Sequence, residues 1–363
     1  GFEIHGIFSS KLSYGYGYRY IKRKYIHQNA VEIEDYYLFI KSVLQKERYV
    51  SIIPMRDSAA EVMCKYRDDL LQYTAYVMPD ADGFERGFDK QRLMEVCKMH
   101  GYPHPETYIV RNGSLCGLDI EEIRYPVLIK PNHTFGARGM TLCRNKDELE
   151  KKYPIIFNQF GECHLQTYIP EGGHQVEVQI YINEKQELVQ SSVIKKFRWY
   201  PNKGGSSCCN ISCKNEKIVD ICYKVLKSIG WVGFADFDTI EDPRTGELLI
   251  MEINPRVPAC VKSAFASGID WADVIVGEYL KKSHKVYQMN REVYLRFLGV
   301  EVLWFLKSEN KWHTKPNWFN FFGKDIFYQD MSDWTDPMPF IRGTIGNIKK
   351  QLSPEFRKSK AGV

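Results

Sequence analysis

The stretch Leu248-Leu-Ile-Met-Glu-Ile-Asn-Pro-Arg256 limits what this chain can fold into more than any other. It is an apolar run carrying a carboxylate, Glu252, and an amide, Asn254, two residues apart. In a strand that spacing puts both side chains on one face. Upstream, Gly233-Phe-Ala-Asp-Phe-Asp238 reads as a second strand bearing an acid, and Asp242-Pro-Arg-Thr-Gly246 reads as the turn between them. The expected hairpin sets Asp238 against Glu252. Phe237, Leu249, Ile250, Met251 and Ile253 flank these acids, so the hairpin should be largely buried. A buried, isolated carboxylate is costly, and a bound cation relieves that cost. Asp238, Glu252 and Asn254 offer hard oxygen donors suited to magnesium. The plainer reading, a solvated hairpin face, is opposed by the apolar flanks.

The rest of the chain fits this hairpin into α/β layers. Strands are expected over 3–8, 49–54, 107–110, 126–130, 140–143, 164–169, 175–182, 188–197, 233–240 and 247–253, and helices over 34–45, 89–100, 145–152, 217–229, 259–266 and 271–281. Gly101 and Gly230 stand where two of these helices should stop. A length of 363 residues calls for two or three packed units. The net charge of +5 and the pI of about 8.5 are too mild for a nucleic-acid binder and suit a small anionic partner. The ten cysteines form no CxxC pair and read as reduced thiols; Cys208, Cys209 and Cys213 lack a second ligand pair at zinc-finger spacing. No apolar run reaches the length of a membrane span, and the first residues lack the apolar core of a signal peptide, so a cytoplasmic location is expected.

A lysine, Lys130, ends the apolar strand VLIKP, and the loop that follows carries Gly136 and Gly139. Such a lysine can reach phosphate oxygens, and such a loop can donate backbone N–H groups to them. In order along the chain, VLIKP with its glycine loop, LQTYIPEGG, VIKKFRWYP, GWVGFADFDTIEDPRTGELLIMEINPR and ASGID resemble the ATP-grasp superfamily, in its carboxylate–amine ligase-like branch. The resemblance covers roughly residues 85–285.

The resemblance implies an α/β fold in which two α+β lobes clasp ATP. It divides the chain into a small open-sheet α/β domain at 1–85 (its opening strand expected upstream of Gly1), a small lobe at 86–169, a large lobe with the metal site at 170–285, and a mostly helical or irregular C-terminal extension at 286–363. Lys90 and Lys130 match lysines on the ATP phosphates, and Gly136 and Gly139 belong to the loop over them. Gln166, Thr167, Tyr168 and Ile169 match the segment on the adenine edge, and Glu177 stands near a ribose-facing acid. Asp238, Glu252 and Asn254 match the magnesium ligands, with manganese a possible substitute. Lys196 and Arg198, two apart on one strand, match a basic pair near the γ-phosphate, and Arg256 matches an arginine that steadies an acyl phosphate. The implied reaction activates a carboxylate as an acyl phosphate and joins it to an amine. The implied partners are these small molecules, without nucleic acid or membrane span, and a homodimer is possible. A kinase or a non-amine acceptor is the alternative within the superfamily, and a nucleotide-binding module without catalysis is the alternative outside enzymology.

Overall fold

The computed structural model describes residues 1–28, 32–134, 138–200, 206–331 and 335–352. Two parallel strands open the chain, β1 (Ile4–Phe8) and β2 (Ile21–Ile26). Helices α1 (Ile33–Lys46), α2 (Asp57–Lys65) and α3 (Arg67–Leu70) follow. In α1 the buried residues Tyr36, Ile40, Val43 and Leu44 recur at helical spacing, which makes one core-facing stripe. The strand expected over 49–54 does not form. Ser51 makes an isolated bridge to Ala75, and Ile52 and Ile53 pack on the core instead.

Helices α4 (Ala81–Phe88) and α5 (Lys90–His100) come next and pack Phe84, Leu93, Met94 and Cys97 on the large lobe's core. The small lobe is built from β3 (Thr107–Tyr108), β4 (Val127–Pro131), β5 (Thr141–Cys143), α6 (Lys146–Phe160) and β6 (Cys163–Thr167). Asp89 caps α5 by accepting from the Arg92 N–H, and Gly101 ends it at φ 69°. The sheet runs β3-β6-β4-β5, with every pairing antiparallel. Asn145 caps α6 as expected, but the helix continues through Pro154. Tyr153, Ile156 and Phe157 pack on the lobe's core, and that burial outweighs the hydrogen bond a proline forfeits.

The large lobe holds β7 (Gln175–Ile182), β8 (Leu188–Tyr200), β9 (Ser206–Cys213), α7 (Glu216–Ser228), β10 (Gly233–Glu241), β11 (Leu248–Asn254), α8 (Val261–Ala266) and α9 (Trp271–Tyr279). Beyond it come β12 (Tyr294–Arg296), α10 (Leu298–Lys307), β13 (Ile326–Tyr328) and α11 (Met338–Leu352). One sheet takes the order β11-β10-β7-β8-β9-β12-β13, so the C-terminal residues extend the large lobe's sheet by two short strands. Helix α11 returns to the first unit: a Cβ on Gly343 would overlap the Tyr14 ring, and the Arg342 guanidinium donates to the Lys11 carbonyl. Trp334 lies outside the described residues. Among the described residues no helix is long and apolar enough to cross a membrane.

Candidate functional site

The β10–β11 hairpin forms in the expected register. Asp238 sits opposite Glu252, and Asp236 sits opposite Asn254. On its other side β10 pairs with β7, which places Glu177 opposite Asp238. Lys196 reaches across from β8, with Nζ 2.6 Å from Glu177 Oε1 and 2.8 Å from Asp238 Oδ1. Asn254 Nδ2 donates to Asp238 Oδ2 at 3.2 Å. Arg256 donates from Nη2 to Asn254 Oδ1 and from Nε to Asp57 Oδ1, at 3.3 and 3.2 Å. Its Nη1 lies 3.8 Å from Asp236 Oδ2. Lys90 spans the two lobes: Nζ is 3.3 Å from Glu252 Oε2 and donates to the Thr134 carbonyl at 2.7 Å.

Burial and charge set the protonation of these groups. Burial raises the Asp238 carboxyl, but Lys196 and Arg256 outweigh it and hold the group below its usual range. Burial lowers Lys196, but Asp238 and Glu177 drive it well above the usual ammonium range. Asp236 is pushed well up by burial, with Glu177 and Asp238 adding to the effect, and its Oδ1 has no hydrogen-bond partner among the described residues. Lys130 differs from the other cations: Nζ donates to the neutral Gln166 Oε1 at 2.9 Å, and burial pulls its pKa down to about 8. A buried ammonium held by a neutral oxygen is a fit for an incoming anion. Beside it His164, also lowered by burial, stays neutral and bonds Asn132 Oδ1 through Nδ1 at 2.9 Å.

Between the lobes, the Thr167 N–H donates to the Glu106 carbonyl at 2.8 Å and the Tyr168 N–H to the Pro126 carbonyl at 3.0 Å. The Ile169 N–H has no partner among the described residues, while its side chain is buried. Gln166 is fully buried and committed to Lys130 and to Thr107 Oγ1, so its side chain is not free for a base edge. Gly139 takes φ 74° at the end of the glycine loop, whose base is closed by Thr134 Oγ1 donating to the Arg138 carbonyl at 3.0 Å. Gly136 lies outside the described residues.

Arg198 is the expected residue that the structure removes from this group. The β8–β9 register shifts between Lys196, opposite Asn210, and Arg198, opposite Cys209. A strand bulge breaks the two-residue alternation that would have kept them on one face. Arg198 is buried instead in an ion pair with Glu301, bonded also to the Pro316 carbonyl and stacked 5.1 Å from the Trp304 ring. Glu177 sits with the metal-side acids and Lys196, and Cys260 Sγ donates to its Oε2. Three residues of the site were not singled out from the sequence. Asp236 stands two before Asp238, so strand alternation could have found it. Asp57 and Cys260 come from a helix start and a loop, and no local pattern marks them.

Two other features stand apart. Glu85, Asp89 and His133 place possible metal-binding atoms within 4.8 Å of one another, but His133 already pairs with Asp89 at 2.9 Å. A cavity of about 570 Å³, lined by Gln190, Ser192, Ser212 and Tyr223 among others, is bordered by none of the residues above.

Residues 89–280 match the family model described as carbamoyl-phosphate synthase L chain, ATP binding domain. The chain is similar to the D-aspartate ligase of Enterococcus faecium, at 27% identity over 243 residues, 60% of this chain; it spans only 58% of that ligase's length. In structure it resembles the biotin carboxylase of Campylobacter jejuni solved with an ATP analogue, with a TM-score of 0.64 and 18% identity over 76% of this chain and 66% of that one. It also resembles the biotin carboxylase domain of the Hydrogenobacter thermophilus 2-oxoglutarate carboxylase, solved as a dimer with MgADP and bicarbonate, with a TM-score of 0.59 and 23% identity over 76% of this chain and 64% of that one.

Proposed function

The chain belongs to the carbamoyl-phosphate synthase L chain ATP-binding family, within the ATP-grasp superfamily, and from that premise we propose that it is an ATP- and magnesium-dependent ligase that activates a carboxylate as an acyl phosphate and passes it to an amine, releasing ADP and phosphate. One observation carries the reading: Asp238 and Glu252 face each other across a half-buried ladder with Asn254 beside them, while among the described residues the Lys130 ammonium is held only by a neutral oxygen. The donors are hard oxygens, which fit magnesium and would accept manganese. Lys90 and Lys196 now occupy these carboxylates, as cations would. Magnesium bound there would neutralise phosphate oxygens and fix the γ-phosphoryl for in-line transfer.

The chain's own groups do the rest. The Ile169 N–H, without a partner among the described residues, would meet the adenine edge, with the Ile169 side chain against the ring. Lys130 and Lys90 would donate to phosphate oxygens. A carboxylate attacking the γ-phosphorus brings two anions together, and Lys196 and Arg256 supply preorganised positive charge where that repulsion is greatest. The likeness to a D-aspartate ligase supports an amino-acid-like carboxylate and an amine acceptor, and the cytoplasm, with its ATP, is the setting we assign.

The test is phosphate release from ATP and magnesium, with panels of carboxylates and amines. Release that requires one member of each panel supports ligation. Release that requires an alcohol alone would replace ligation with a kinase. Glu252→Gln should lower magnesium-dependent turnover by about a hundredfold or more, through loss of a charged ligand at the transferring group, with the fold intact by circular dichroism. Full turnover in that variant would take Glu252 out of the site.

A further inference from the structure

Helix α10 has apolar residues on two opposed faces. Val300 and Trp304 face the large lobe and are buried. Val302 and Leu306 face outward, 46% and 66% exposed. Phe305, three residues after Val302 on the same turn of surface, joins them to a second group. Its ring centroid lies 5.3 Å from Trp312 and 5.8 Å from Phe319, and those two rings stack at 5.8 Å. Trp312 and Phe319 are themselves 57% and 54% exposed, and Phe322 is 86% exposed. An exposed apolar ledge built on the joined rings of Phe305, Trp312 and Phe319 marks an interaction site more often than scattered exposure does.

The charges around the ledge indicate what covers it. Between Val302 and Asp325 there are four lysines, Lys307, Lys311, Lys315 and Lys324, against two acids, Glu309 and Asp325, and no arginine or tyrosine. Lys315 and Lys324 are exposed, and Lys311 holds its ammonium 5.6 Å from the Phe305 ring centre. Protein interfaces are depleted in lysine and take their binding energy from arginine, tyrosine and tryptophan. Exposed tryptophan, phenylalanine and leucine in a lysine-rich segment suit the boundary of a bilayer instead. The rings seat at headgroup depth, the lysine stems lie along apolar surface, and the ammoniums reach anionic phosphates. We propose that this ledge docks the protein on the surface of an anionic phospholipid bilayer, without spanning it. The ledge shares no residue with the nucleotide site, so the docking stands or falls separately from the ligase reading.

Co-sedimentation of the whole chain with vesicles tests it. Vesicles of mixed phosphatidylglycerol and phosphatidylcholine should pellet the protein at low salt, and pure phosphatidylcholine vesicles should not. Replacing two exposed lysines, as Lys315→Gln with Lys324→Gln, should weaken binding by about tenfold, since each lysine near an anionic surface contributes appreciably. Phe319→Ser should weaken binding to the mixed vesicles as well, with thermal unfolding as the check on folding. The lysine variants alter only exposed groups and remain informative if Phe319→Ser misfolds. Failure to pellet with either vesicle, or binding indifferent to headgroup charge and to the lysines, would overturn the proposal. So would a dimer in sedimentation velocity that Phe319→Ser dissolves while vesicle binding is absent, which would assign the ledge to a second copy of the chain.

Discussion

Lys130 is buried, bonds a neutral amide oxygen and has its pKa pulled down to about 8 by burial, with Lys90 adding to the effect and Glu252 opposing it. Its ammonium is therefore the form present below pH 8, and it is lost as pH rises above that value. Nucleotide affinity measured by calorimetry should be flat on the acid side of pH 8 and fall above it, by at most roughly tenfold per pH unit. Lys130→Met should bind weakly and without that slope; an unchanged slope would place the titrating group elsewhere. Arg198 is a contrasting cation. It and Glu301 have fully buried side chains, and Arg296 Nη2 also pairs with Glu301, at 2.6 Å. Removing Arg198 leaves Glu301 to Arg296 alone and forfeits the buried charged bonds from Arg198 to Glu301 and to the Pro316 carbonyl. Arg198→Gln should thus cost about 3 kcal/mol in chemical denaturation while leaving nucleotide affinity unchanged. A stable Arg198→Gln protein with impaired ATP turnover would restore Arg198 to the site.

Two strands show how local pattern succeeds and fails at the element scale. Strand β10 was legible because apolar residues alternate with acids from Gly233 onward. Its first residue has a job that the pattern does not reveal. Gly233 adopts φ 88°, and a Cβ there would stand 2.7 Å from the Val77 carbonyl oxygen. Gly233→Ala should lower stability by roughly 2 kcal/mol or more, read as a lower denaturation midpoint, because both the left-handed backbone and the close approach require glycine. An unaltered midpoint would mean that the backbone there relaxes freely. Strand β9 is not among the strands that the sequence pattern predicts. Its sequence, SSCCNISC, is small and polar with no alternation. It forms because β8 and β12 supply its hydrogen bonds from both sides, and Cys208, Cys209, Asn210 and Ser212 are buried there. Strand propensity yields to such a position in the sheet.

At the scale of the whole molecule, the first unit and the large lobe meet at the site. Asp57, the first residue of α2, holds Arg256 Nε, and the Val257 N–H donates to the Pro54 carbonyl at 3.2 Å. Residues nearly two hundred positions apart thus set the angle of one guanidinium beside Asn254. Asp57→Ala should reduce ATP turnover by about tenfold, the scale of a lost charge-assisted hydrogen bond, with ATP affinity little changed. Equal loss of affinity and turnover would argue that Asp57 supports the nucleotide site as a whole. Helix α11 also meets the first unit, against Tyr14 and the Lys11 carbonyl.

The amino-acid order by itself determined the hairpin, its register and the oxygen donors Asp238, Glu252 and Asn254, because alternation along two strands joined by a short turn is a local property. It also determined the α5 cap and the lysine at the end of β4. Only the tertiary structure decided that Arg198 leaves the site and that Asp57 enters it. A bulge and a contact between distant units each depend on how separate elements pack, and no window of sequence contains that information.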